Sequence, residues 1–106
     1  MPTICTVEEL NTAYRAATAL YAGGPLTVAG RALAKHNPIS RPGSAFPIPK
    51  GSPTDINILA HEAVAEILSY KAAFKTERGN VYDITAPDGR GLRFHSGGAL
   101  KGFLEP

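Results

Sequence analysis

Residues 71–104 read KAAFKTERGNVYDITAPDGRGLRFHSGGALKGFL, and the spacing of turn residues within them decides the fold. Arg78-Gly79-Asn80, Pro87-Asp88-Gly89-Arg90-Gly91 and Ser96-Gly97-Gly98 carry turn chemistry, and they cut the stretch into four short runs. Strands are expected near Lys71–Glu77, Val81–Ala86, Leu92–His95 and Ala99–Leu104, joined as an antiparallel meander. Leu92-Arg93-Phe94-His95 alternates most clearly, so Leu92 and Phe94 face a core while Arg93 and His95 face the other way.

Upstream the pattern is helical. Thr6-Val7-Glu8-Glu9 has capping-box spacing, and the helix it opens runs through Leu10, Tyr14, Ala17 and Tyr21 to the breaker Gly23-Gly24-Pro25. A second helix, about Thr27 to Lys35, stops at His36-Asn37-Pro38 because proline disfavours the α conformation in the residue before it. Prolines at 38, 42, 47, 49 and 53 then stiffen an irregular loop, and loops this long in small domains tend to be functional. Ser52 caps the main helix, Pro53 opens it, Asp55 sits near its positive end, and Ile56, Leu59, Ala60, Ala63, Val64, Ile67 and Leu68 form its apolar stripe. The expected fold class is α+β, with N-terminal helices packed on a C-terminal four-stranded antiparallel sheet and the long helix lying across one sheet face. At 106 residues the chain supports a single domain, residues 1–106.

Composition bounds the partners. No run approaches the roughly 20 apolar residues of a membrane span, and residues 1–9 lack secretory-signal features, so any export depends on sequence outside these residues. The lone Cys5 forms no internal disulfide and has no metal-ligand companion; near a flexible start with no adjacent base, it is a poor nucleophile. Net charge is only +2, but residues 10–54 hold Arg15, Arg31, Lys35, Arg41 and Lys50 with no Asp or Glu. That local asymmetry suits a phosphate-bearing partner, although a solvated basic face has the same composition.

Two histidine neighbourhoods are candidates for chemistry. His95 and Arg93 share the open sheet face, where Asp83, Thr85 and Lys101 can join them; His36 closes the basic segment GRALAKH (residues 30–36), ahead of Arg41 and Ser44. Metal-free RNA cleavage needs a base for the ribose 2′-hydroxyl, cations for the phosphorane charge and an acid for the leaving oxygen, and both neighbourhoods carry such groups. Each also has a plain structural reading, a wet polar strand face for His95 and a helix-end bond for His36. His61-Glu62 opens like a zinc-protease HExxH, but Ala65 stands where the second histidine belongs, so the pair reads as solvated surface. Arg90, at a turn tip, is placed to touch a phosphate.

The segments GRALAKH and SRPGSAFP, the helix bearing Asn57 and Ile67-Leu68, and the ending DITAPDGRGLRF with GFLEP resemble the C-terminal toxin domains of bacterial polymorphic and contact-dependent inhibition toxins. The likeness covers about residues 26–106 and leaves residues 1–25 as an N-terminal helical extension. Such domains include small RNases of the barnase, EndoU, colicin and RelE-like grouping. The resemblance implies a metal-independent, cofactor-free ribonuclease acting on tRNA or another cellular RNA in the bacterial cytoplasm and silenced by an immunity or antitoxin protein. An acidic inhibitor is the simplest cover for a basic site. The domain is either carried in a larger secreted protein or free-standing. By position, Lys35, His36, Arg41 and Ser44 match its first motif, and Asp88, Arg90 and Arg93 its second.

The expected catalytic set is therefore His36, His95, Arg41, Ser44 and Arg93, with either histidine as the proton-transfer group, and Lys35, Arg31, Arg90 and Lys101 bind substrate. The competing reading is a non-catalytic module that binds RNA or protein through the same basic loop. A DNase would need a metal, and no convincing carboxylate and histidine cluster for one is visible.

Overall fold

A computed structural model describes residues 2–106. Its elements are β1 (Thr3–Ile4), α1 (Val7–Thr18), α2 (Val28–His36), a 3₁₀ turn (Pro38–Ser40), α3 (Pro53–Leu68), β2 (Phe74–Arg78), β3 (Val81–Thr85), β4 (Gly91–His95) and β5 (Leu100–Leu104). The α+β class holds, but the sheet has five antiparallel strands rather than four, in the order β1-β2-β3-β4-β5. The additional strand is β1, which pairs Thr3 with Lys75 and Ile4 with Phe74. Two residues are too few to show a period-two pattern, so this strand has no sequence signature.

The expected capping box forms in full on α1, Thr6 with Glu9, and the expected Ser52 cap of α3 is completed into a second box by Asp55. Helix α1 nevertheless ends at Thr18, short of Tyr21. Ala19 turns extended, Leu20 bridges Thr27, and a tight turn follows with Ala22 at φ 49° and Gly23 at φ 72°. The glycine tolerates that left-handed backbone, which is why the turn forms there.

Leu92 and Phe94 are fully buried, as alternation requires, together with Ile84, Leu100 and Phe103 on the same side of the sheet. The helix lying along this face is α2, against β5; α3 packs on α1 and α2 and meets the sheet at β4. The expectation that the long helix would cross the sheet is thus corrected. Helix α2 buries Ala29, Gly30, Ala32 and Leu33, and its small side chains let β5 approach one side and α3 the other. Cys5 is buried too, its amide bonded to the Ala73 carbonyl at 3.0 Å, so the chain start is tied down where flexibility was expected. Burial pushes the Cys5 thiol pKa up.

One irregularity in the sheet matters for the site. Phe94 pairs with Leu100 and Arg93 with Gly102, so Lys101 is an extra residue with no partner across the ladder. The bulge lets Leu100 and Phe103, three apart, both face the core and turns Lys101 outward.

Candidate active site

The nominated residues separate into distinct neighbourhoods. His36 ends α2 with its ring turned inward, edge-on to Phe46 at 5.3 Å and Phe103 at 6.5 Å, and its side chain is 6% exposed. Its Nε2 lies 2.7 Å from Glu105 Oε2; the Ser44 hydroxyl donates to that same oxygen, and the Ala45 amide donates to Oε1 at 2.9 Å. Arg41 donates from Nε to the His36 carbonyl at 2.8 Å, closing the loop on the end of α2. The anion site expected from Lys35, His36, Arg41 and Ser44 is thus partly built, but the chain's own Glu105 carboxylate fills it. Burial alone would raise the Glu105 pKa; the donors from Ser44, Ala45 and His36 outweigh it and hold the carboxyl below its ordinary range.

Arg93 does not join His95. It grips Asp83 across the strands, Nε to Oδ1 at 2.7 Å and a terminal nitrogen to Oδ2 at 3.0 Å, while Arg78 reaches the same carboxylate at 3.3 Å. Asp83 is buried under these two cations. The Asp83 bonds push the Arg93 pKa up, so it stays charged. Arg90 does not reach outward either: it binds Asp88 at 2.9 Å and Glu66 at 2.8 Å and staples the β3–β4 turn to α3. Its partial burial works against the charge, yet the two carboxylates more than compensate and raise its pKa.

The reading of His61-Glu62 as a solvated pair is corrected for His61. Its Nε2 lies 2.8 Å from the Thr27 hydroxyl, and Thr27 in turn caps α2 by accepting from the Gly30 amide at 3.1 Å. Asn57 completes the junction: its Oδ1 accepts from the Thr27 amide at 3.0 Å, and its Nδ2 donates to the Pro25 carbonyl at 3.0 Å. Desolvation lowers the His61 pKa. Glu62 is exposed.

The remaining nominees converge. Arg31, Lys35, His95 and Lys101 line one groove of about 350 Å³ with Tyr21, Val28, Ala99 and Leu100. Val28, Arg31 and Lys35 form one stripe of α2, because residues three, four and seven apart share a helix face. His95 ends β4 at the tight turn into β5, where its amide donates to the Ala99 carbonyl at 2.8 Å, and the bulge delivers Lys101 to the same edge. Three cations and an imidazole therefore surround one cleft, and no acidic side chain lines it. Tyr21, read in the sequence as a helix-packing residue, is instead 41% exposed at the rim, with the Arg31 guanidinium carbon 4.3 Å from its ring centre. Glu105 was also missed as a site-shaping residue: it lies within GFLEP, but no sequence spacing ties it to His36 or Ser44. Among the described residues no group of three or more His, Cys, Asp or Glu could hold a metal ion, and no helix is long and apolar enough to cross a membrane.

Comparison with known proteins gives two matches. The family model of the CdiA C-terminal tRNase toxin domain matches residues 14–105. A crystal structure of the toxic C-terminal tip of CdiA from Pseudomonas aeruginosa, in complex with its immune protein, is 31% identical at a TM-score of 0.62, over 85% of this chain and 98% of that one. No curated protein sequence gives a significant match.

Proposed function

Because this chain belongs to the family of CdiA C-terminal tRNase toxin domains, we propose that the basic groove between α2 and the β4–β5 hairpin is where it cleaves RNA. One observation carries the choice: Arg31, Lys35, His95 and Lys101, distant in sequence, line a single acid-free cleft, whereas His36, Arg90 and Arg93 are bonded to carboxylates. His95 takes the proton of a ribose 2′-hydroxyl, whose oxygen then bonds to phosphorus. The bond from phosphorus to the 5′-oxygen breaks, and that oxygen leaves with a proton from a groove ammonium or water. Arg31, Lys35 and Lys101 stabilise the phosphorane charge in a site whose walls exclude part of the solvent. The products are a 2′,3′-cyclic phosphate and a 5′-hydroxyl end, and none of these steps calls on a metal.

His36, Ser44, Arg41 and Glu105 then have a positioning role. They lock the last turn of α2, from whose other side Lys35 projects into the groove. The relative's complex with an immune protein supports a cognate immunity partner for this chain, and an acidic one that covers the groove answers its charge. The site of action is the cytoplasm of a target bacterium, with delivery as part of a larger secreted protein.

Replacing Lys35 or Lys101 by alanine tests the groove. Each change is expected to slow tRNA cleavage about 10²-fold, the usual cost of removing one group that stabilises transition-state charge. Lys71→Ala, at an exposed site outside the groove, is expected to leave the rate unchanged. Equal rates for all three variants would move the active site elsewhere. The non-catalytic alternative is favoured if none of the proteins, wild type included, cuts tRNA while they still bind it.

A further inference from the structure

Tyr21 is placed by its backbone and not by packing of its ring in the core. Its backbone is fixed on both sides: its amide donates to the Leu26 carbonyl at 2.9 Å, its carbonyl accepts from Gly24 at 2.8 Å, and Leu20 bridges Thr27 beside it. Yet the side chain lies outside the buried core and is 41% exposed. The fixed backbone presents this exposed aromatic ring at the rim of the cationic cleft. Arg31 covers part of it, with its guanidinium carbon 4.3 Å from the ring centre, and the same Arg31 lines the groove beside Lys35, His95 and Lys101. A planar cation on a planar ring holds both in a defined orientation.

Resting on the groove as the cleavage site, we propose that Tyr21, backed by Arg31, is a stacking platform for one unpaired nucleobase next to the scissile phosphate, so the groove takes single-stranded RNA rather than a duplex. A base inside a duplex already stacks on its neighbours and cannot lie on the ring without leaving its pair, whereas an unpaired base offers its π-face at no such cost. The cleft, of about 350 Å³, has room for one ligand of nucleotide size. Tyr21 thus selects the structural context of the cut, a loop or a free end of the RNA, while His95 performs the proton transfer.

A fluorescently labelled 2′-O-methyl tetranucleotide separates binding from chemistry, because it has no nucleophilic 2′-hydroxyl and cannot be cut. The wild-type chain is expected to bind it more tightly than the same sequence held in a hairpin stem. Tyr21→Phe is expected to bind within about 2-fold of wild type, since stacking needs the ring and not the hydroxyl. Tyr21→Leu and Tyr21→Ala are expected to bind roughly 5- to 150-fold more weakly, the span that a single base stack of about 1–3 kcal/mol corresponds to. Melting temperatures are compared for every variant, and the bulk-preserving Tyr21→Leu serves as the deciding variant should Tyr21→Ala melt early. The proposal is overturned if Tyr21→Leu binds like wild type, if Tyr21→Phe is as weak as Tyr21→Leu, or if stem and single strand bind equally. His95→Ala measured alongside keeps the two assignments apart. Tyr21-dependent binding together with undiminished cleavage by His95→Ala would retain the platform and remove His95 from the mechanism.

Discussion

Three donors converge on Glu105, the residue before the last: the Ser44 hydroxyl, the Ala45 amide and the His36 ring. Charge-assisted bonds of this kind fix the loop following α2, and Glu105→Gln is expected to cost about 2 kcal/mol at pH 7 by removing the charge. Because the folded Glu105 pKa is depressed, its stabilisation is present above the ordinary carboxylate value and lost as pH falls through the folded one. The stability gap between wild type and Glu105→Gln, measured by urea denaturation, should therefore narrow in acid. His61 carries a second pH dependence. Desolvation depresses its folded pKa, so below the ordinary histidine value of about 6.5 the unfolded chain takes up a proton that the folded chain resists. Stability is then lost as pH falls, and the drop in melting temperature from pH 7.5 to 5.5 should be smaller in His61→Gln. Neither role was legible in the sequence. The motif GRALAKH pointed to an anion site at His36, but only the fold brings Glu105, 69 positions away, to occupy it. His61 looked solvated because a helix pattern cannot show that Thr27 meets it across a helix junction.

Helix α2 joins the core to the groove, and its small residues allow this. A Cβ at Gly30 would run into Asn57 Oδ1 and lie 3.4 Å from a Leu26 methyl. Gly30→Ala should therefore destabilise by about 1–3 kcal/mol through overpacking, despite alanine's better helix propensity. Thermal unfolding of Gly30→Ala, Asn57→Ala and the double variant checks this; the double variant should lose less than the sum, because the clash and the lost bonds to Thr27 and Pro25 share one partner, Asn57. Most elements around α2 were readable beforehand. The capping box at Thr6 and the Ser52 cap set two helix starts, and glycine turns set three hairpins, because these signals are local. The two-residue β1, the early end of α1 and the resting place of α3 were not readable, since pairing and packing partners decide them. The β5 bulge did leave a trace: Leu100 and Phe103 are both large and apolar at a spacing of three, which a regular strand cannot bury on one face.

Net charge of +2 understates how the molecule presents itself, because acids are spent on pairing. Asp83, Asp88, Glu66 and Glu105 each neutralise a basic or titratable partner, and the groove keeps Arg31, Lys35 and Lys101 without an acid among its lining residues. RNA binding should accordingly weaken with salt, and Lys101→Ala should flatten the slope of log affinity against log salt by roughly 0.7, one single-strand phosphate contact. The basic segment was legible in the sequence, but the groove is also lined by His95 and Lys101 from the far end of the chain, and no sequence spacing connects them to it.

The most direct test of His95 as the proton-transfer group compares tRNA cleavage by the wild-type chain, His95→Ala and His36→Ala, with and without EDTA, at a temperature where all three are folded. The expected result is discrete fragments with 2′,3′-cyclic phosphate ends, unaffected by EDTA, made by the wild type and by His36→Ala and slowed about 10²–10⁴-fold by His95→Ala. Undiminished cleavage by His95→Ala, or activity abolished by EDTA, would contradict the account.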